Sequence, residues 1–136
     1  MSQLPKSMFA TKQLPEPYDY LAPDGSEIRE LLAGRGGTMA HCVLCPGGVS
    51  HATTHRSVEE IWYCLSGDGQ IWRKLGEVET ITDMRPGTCL TNPTGTHFQF
   101  RNTGSNPLCI VIACMPPWPG ADESSKVSGP WEIDLD

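Results

Sequence analysis

Turn signatures cut the middle of the chain at short intervals. PGG at 46–48, SGDG at 66–69, RPG at 85–87, NPTG at 92–95 and NTGSNP at 102–107 supply glycine for positive φ, proline for fixed φ, and asparagine or aspartate for local side-chain bonds. Such spacing leaves no room for long helices. The stretches between these turns are apolar and rich in β-branched and aromatic residues, so strands are expected near 27–33, 38–45, 50–55, 60–65, 70–75, 78–82, 88–92, 98–101 and 108–115. Only 26–32 carries a brief hint of helical period. Many short strands at regular spacing form an all-β sandwich or a closed barrel.

Size and charge narrow the function. A chain of 136 residues fits one domain with one core and has no room for a separate cofactor domain. Sixteen acidic residues against ten basic ones give a formal net charge of −6, so no diffuse positive field gathers phosphate backbones or acidic membranes. The first twenty residues lack the apolar stretch of a secretion signal, and the longest clean apolar run, 108–115, is too short to span a bilayer. Neither nucleic acid nor membrane is expected as a partner, and a cytoplasmic location is expected. The glycines of AGRGGT at 33–38 open a strand and not a helix, so a phosphate-cradling loop is not expected either.

Six cysteines invite a disulfide or zinc reading. Cys42 and Cys45 form a C-x-x-C, but odd spacing on a strand sends the two thiols to opposite faces. Cys64, Cys89, Cys109 and Cys114 sit among apolar or β-branched neighbours, as small buried hydrophobes do in a reducing compartment. His41, in TMAHCVLC, has no motif around it and is expected as a strand histidine with its hydrogen bonds satisfied. The flanks are Pro-rich and polar. The organisation expected is an N-terminal arm over 1–26, a barrel over 27–115 and a C-terminal arm over 116–136, with Trp118 and Trp131 as anchors that dock the tail, on the barrel wall in the plainest case.

Two spaced motifs run through the middle of the chain. The first reads Gly47, five residues, Thr53-x-His55, four residues, Glu60, six residues, Gly67; the second reads Gly87, five residues, Pro93-x-Gly95, two residues, Phe98, three residues, Asn102. In both spacing and composition the pair resembles the two signature motifs of the cupin superfamily. The resemblance implies a double-stranded β-helix, or jelly-roll β-barrel, with the functional pocket inside. In metal-binding members two histidines and a glutamate of the first motif and a histidine of the second converge on one divalent ion. His55 and Glu60 keep their places here, whereas Thr53 stands for the first histidine and Phe98 for the last. A divalent transition metal (Fe, Mn, Ni, Cu or Zn) would then rest on His55, Glu60 and a rearranged His97, with His51 or Glu59 as substitutes. His97 is adjacent to Phe98, so regular alternation turns it to the other face unless the strand twists locally; His51 lies about 6.6 Å along the strand from Thr53.

The same residues allow a pocket without metal. A buried Glu60 beside His55 makes a charge-assisted pair able to act as general acid and base on a small substrate with an acidic C–H or a labile C–O bond. Thr53, Tyr63 and Phe98 are the expected ligand-contacting residues, and Trp62, Trp72 and Phe100 add aromatic lining. With Phe98 in place of a donor the pocket should be more apolar than in metal-replete relatives, and a carboxylate- or carbonyl-bearing aromatic or terpenoid-like ligand is expected. The chain is therefore expected to bind a small polar metabolite and to act on it as an oxygenase, isomerase or lyase. A non-catalytic sensing barrel and a protein-interaction scaffold are the alternatives. By the same resemblance the barrel is expected to form homodimers, which would also cover an open sheet edge.

Overall fold

A computed structural model of the chain describes residues 8–133. The strands are β1 (Tyr20–Leu21), β2 (Glu27–Ala33), β3 (Thr38–Leu44), β4 (Thr53–His55), β5 (Glu59–Ser66), β6 (Gly69–Leu75), β7 (Val78–Met84), β8 (Cys89–Asn92), β9 (His97–Asn102), β10 (Leu108–Met115) and β11 (Ser124–Lys126), with one 3-10 turn at Ala121–Glu123. The fold is all-β. Two antiparallel sheets face each other, one ordered β1-β2-β3-β10-β5-β8 and the other β11-β4-β9-β6-β7, as in a double-stranded β-helix.

Strict alternation builds the core. On β10 the side chains of Leu108, Ile110, Ile112 and Cys114 point inward while Cys109, Val111, Ala113 and Met115 turn away. β5 does the same: Glu60, Trp62 and Cys64 are buried, and Ile61, Tyr63 and Leu65 are exposed. Trp62 meets Phe98 and Phe100 edge to face, at centroid separations of 5.5 Å and 5.0 Å, which ties the two sheets together at the centre of the barrel. The stretch with a hint of helical period becomes strand β2, because pairing with β3 buries Ile28 where an isolated helix turn would leave it wet. Gly67 shows why its turn tolerates no side chain. Its φ is +91°, and a Cβ there would stand 2.5 Å from the Pro107 carbonyl oxygen.

Both flanks join the sheets. Tyr20 and Leu21 pair with β2, while Ser124–Lys126 pair with β4 along its free edge. Trp131 is held by its backbone to the Gln99 amide and lies under the Arg101 guanidinium, 4.2 Å from the ring centroid, so the tail covers the outer side of β9. All six cysteines are free thiols, with Cys42 buried and Cys45 exposed. His41 departs from expectation: burial leaves its Nδ1 without a hydrogen-bond partner among the described residues. Burial, and then the Arg29 guanidinium, push its pKa below the usual histidine value.

Candidate functional site

A cavity of about 190 Å³ lies between the two sheets. Its inner wall is made where β4, β5 and β9 meet: Thr53 and His55 from β4, Glu60 and Trp62 from β5, and Phe98 from β9. Register explains the grouping, since Thr53 pairs directly with Phe98 and both take the inward parity.

His55 is the centre of the polar wall. Its Nε2 lies 3.4 Å from Glu60 Oε2, and its Nδ1 lies 2.9 Å from Ser124 Oγ. The indole N–H of Trp62 donates to Glu60 Oε1 at 2.9 Å, so both carboxylate oxygens face donors. An ionised Glu60 can only accept, which puts the proton of a neutral imidazole on Nε2; Nδ1 then accepts from the Ser124 hydroxyl. Two aromatic edges enclose the ring, Phe98 at 5.3 Å and Trp118 at 5.2 Å between centroids. The result is a buried imidazole with a hydroxyl at one nitrogen and a carboxylate at the other.

Two of these contacts come from the C-terminal segment. The backbone N–H of Trp118 donates to Thr38 Oγ1, and Ser124 is the cross-strand partner of His55. What holds the segment is Glu123, buried at the β4–β5 turn, whose carboxylate accepts from the Ser57 N–H, the Ser57 hydroxyl at 2.7 Å and the Val58 N–H at 2.8 Å. Burial acts against its charge, but the bonds from Ser57 and Val58 win and hold its pKa below the usual glutamate value.

A second carboxyl group, Asp24, reaches the cavity from the β1–β2 turn. Its Oδ1 accepts both the N–H and the hydroxyl of Ser26, at 2.9 Å and 2.6 Å. Burial pushes its pKa up, against the pull of the Ser26 bonds. The cavity thiol, Cys114, is pushed up to about 12 by burial and then by Glu60, so it is not a thiolate near neutral pH.

Of the residues singled out in the sequence, Thr53, His55, Glu60 and Phe98 come together on the cavity wall. Tyr63 does not. It is 46 % exposed on the outer face of β5, because Glu60 and Trp62 take the inward parity, and the expectation that it contacts a ligand inside the barrel is corrected. His97 is corrected likewise: it is the partner of Thr54, on the side opposite Phe98, and does not line the cavity. His51 sits beside the Gly25 turn with its N–H on the Asp24 carbonyl, and Glu59 is exposed at the start of β5. Asp24, Trp118 and Ser124 were not anticipated as parts of the site. Asp24 falls in the stretch assigned to the N-terminal arm, PPWPG reads only as an anchor, and ESSK carries no pattern at all.

The residues do not fit a divalent metal. Among the described residues no group of three or more His, Cys, Asp or Glu is arranged to hold one. At the four positions where the family's ligand set converges stand Thr53, His55, Glu60 and Phe98, and the two donors among them are already engaged with each other, with Ser124 and with Trp62.

Comparison with known proteins agrees with the geometry at the level of fold. The family described as Cupin domain matches residues 40–114. No curated protein sequence matches the chain. CapF, a capsular polysaccharide assembling protein from Staphylococcus aureus, superposes with a TM-score of 0.70 at 13% identity over 81% of this chain and 34% of its own. The chain thus spans about a third of the length of CapF. A conserved protein with a double-stranded β-helix domain from Klebsiella pneumoniae gives 0.64 at 15% identity, over 82% of this chain and 92% of that one. A predicted oxalate decarboxylase from Thermotoga maritima gives 0.56 at 21% identity, over 66% and 79%. Identities this low speak to the fold and not to the chemistry.

Proposed function

The chain belongs to the cupin family, and on that premise we propose that its barrel interior binds a small, largely apolar molecule and exchanges a proton with the polar end of that molecule through Ser124 and His55. The observation that carries this reading is the state of His55: buried in the cavity wall, with a hydroxyl at Nδ1 and a carboxylate facing Nε2.

The steps follow from the donors and acceptors. A ligand hydroxyl, enolic oxygen or acidic C–H beside Ser124 Oγ gives its proton to that oxygen as the Ser124 proton passes to His55 Nδ1. The imidazolium formed is stabilised by Glu60, which the Trp62 N–H holds in place. Return of the proton to a different atom of the ligand completes an isomerisation, and return to a departing oxygen completes an elimination. No metal enters these steps, because threonine and phenylalanine occupy two of the four ligand positions. The apolar body of the ligand lies against Phe98, Trp62, Ile112 and Trp118, which also exclude water from the proton path.

The test is a thermal-shift screen of a broad metabolite panel against the wild type and Glu60→Gln. Hits whose stabilisation falls in the variant are expected, followed by Ser124→Ala in a turnover assay on those hits. A panel that stabilises neither protein would overturn the pocket reading.

A further inference from the structure

The cavity has an electrostatic bias that the motifs do not convey. Three of its lining residues are carboxylic acids, Asp24 and Glu60 buried and Glu30 exposed at the rim, and none is lysine or arginine. Lys12 Nζ is bound to the backbone carbonyl of Glu30 at the exposed rim and is not part of the lining. Against these acids stands one imidazole, His55, already facing Glu60.

Two further features point to a ligand and not merely to a cluster of acids. Thr53 is 1 % exposed and lines the cavity, yet its hydroxyl makes no hydrogen bond among the described residues. Asp24, 9 % exposed, takes both Ser26 bonds on Oδ1, and its Oδ2 accepts none among the described residues. An acceptor of this kind, on a largely buried side chain and open to the cavity, is placed to receive a donor from a ligand. The rest of the wall is aromatic: Trp62, Phe98 and Trp118 offer the negative π faces and apolar contact that an organic cation uses.

On the reading of this cavity as a binding site, we infer that its ligand is a small organic cation, a protonated amine on an apolar body, whose N–H groups are received by Asp24 and Thr53. The carboxylate-bearing ligand expected from the sequence does not suit such a lining. An anion would enter a space with two buried acids, a third at its rim and no fixed basic group, and would leave Asp24 Oδ2 without a donor.

The test compares three probes with one ring and three charges: benzylammonium, benzyl alcohol and benzoate. Binding to the full-length protein is followed by NMR on the indole N–H signals of Trp62 and Trp118, which locate the ligand in the cavity. Benzylammonium is expected to shift both signals with an affinity at least about tenfold above that of the other two, and Asp24→Asn is expected to remove most of that advantage while leaving benzyl alcohol unchanged. Benzoate or benzyl alcohol binding as well as the ammonium would overturn the inference and leave the pocket reading standing. Silence of all three overturns the inference as well; the pocket reading falls with it only if the broad panel is also silent.

Discussion

Ser124 and His55 are cross-strand partners whose side chains meet, with Oγ 2.9 Å from Nδ1. The hydroxyl can donate or accept, so it follows the tautomer that Glu60 imposes at Nε2 and donates to Nδ1. Ser124→Ala is expected to leave His55 in the Nε2–H tautomer, read from the ring ¹⁵N shifts, at a stability loss of about 1 kcal/mol. A move toward the Nδ1–H tautomer in the variant would show that the Ser124 hydroxyl, and not Glu60, sets it.

Glu123 is the clasp of the same segment. Its depressed pKa means that its contribution is present above the unfolded glutamate value of 4.5 and is lost as the pH falls through the lower folded value. Glu123→Ala should cost about 2–3 kcal/mol at pH 7, since three bonds to one carboxylate vanish together. The difference between variant and wild type should narrow in acid. Denaturation curves at pH 7 and pH 3 check both parts, and the variant should also expose the Trp118 region to proteolysis.

Asp24 behaves in the opposite sense. Because burial raises its folded pKa above the unfolded value of 3.8, ionisation works against the fold at neutral pH and not at all below the ordinary aspartate range. Asp24→Asn keeps an oxygen for Ser26 and removes the charge. Its Tm should rise at pH 7, and the gain should shrink as the pH falls and vanish below about 3.8. A Tm drop at pH 7 would mean that the Ser26 bonds outweigh the cost of burying the charge.

Thr53 and Phe98 face each other across β4 and β9 at the two positions where the family's missing ligands would stand. Thr53→His with Phe98→His should therefore create a three-histidine, one-glutamate set and let the protein retain zinc or nickel through gel filtration, measured by elemental analysis. Wild type should retain none in stoichiometric amount. Loss of the Phe98 ring from the core will lower stability by about 3 kcal/mol or more, so occupancy is to be measured on the folded fraction.

The turn residues made the barrel legible, because Gly and Pro mark strand ends by a local mechanism that needs no knowledge of partners. The parity of His55 and Glu60 was legible for the same reason, since alternation follows from the strand itself. Tyr63 was mistaken although the same alternation settles it: with Glu60 inward, the residue three places along β5 turns outward. Ser124 was not legible: its partner lies 69 residues away, and two serines in a polar stretch carry no trace of that pairing. Asp24 was hidden because it falls within 1–26, the stretch assigned to an arm, whereas its turn bonds Ser26 and seals a cavity wall.

The segment that carries Trp118, Glu123 and Ser124 lies wholly outside the stretch by which the family is identified, residues 40–114. Two proteins could therefore share both motifs residue for residue and still differ in what stands against the imidazole. The barrel in this chain works like a socket with an interchangeable facing: exchanging the last strand and its clasp would exchange the chemistry while leaving the core, and every feature used to classify it, untouched.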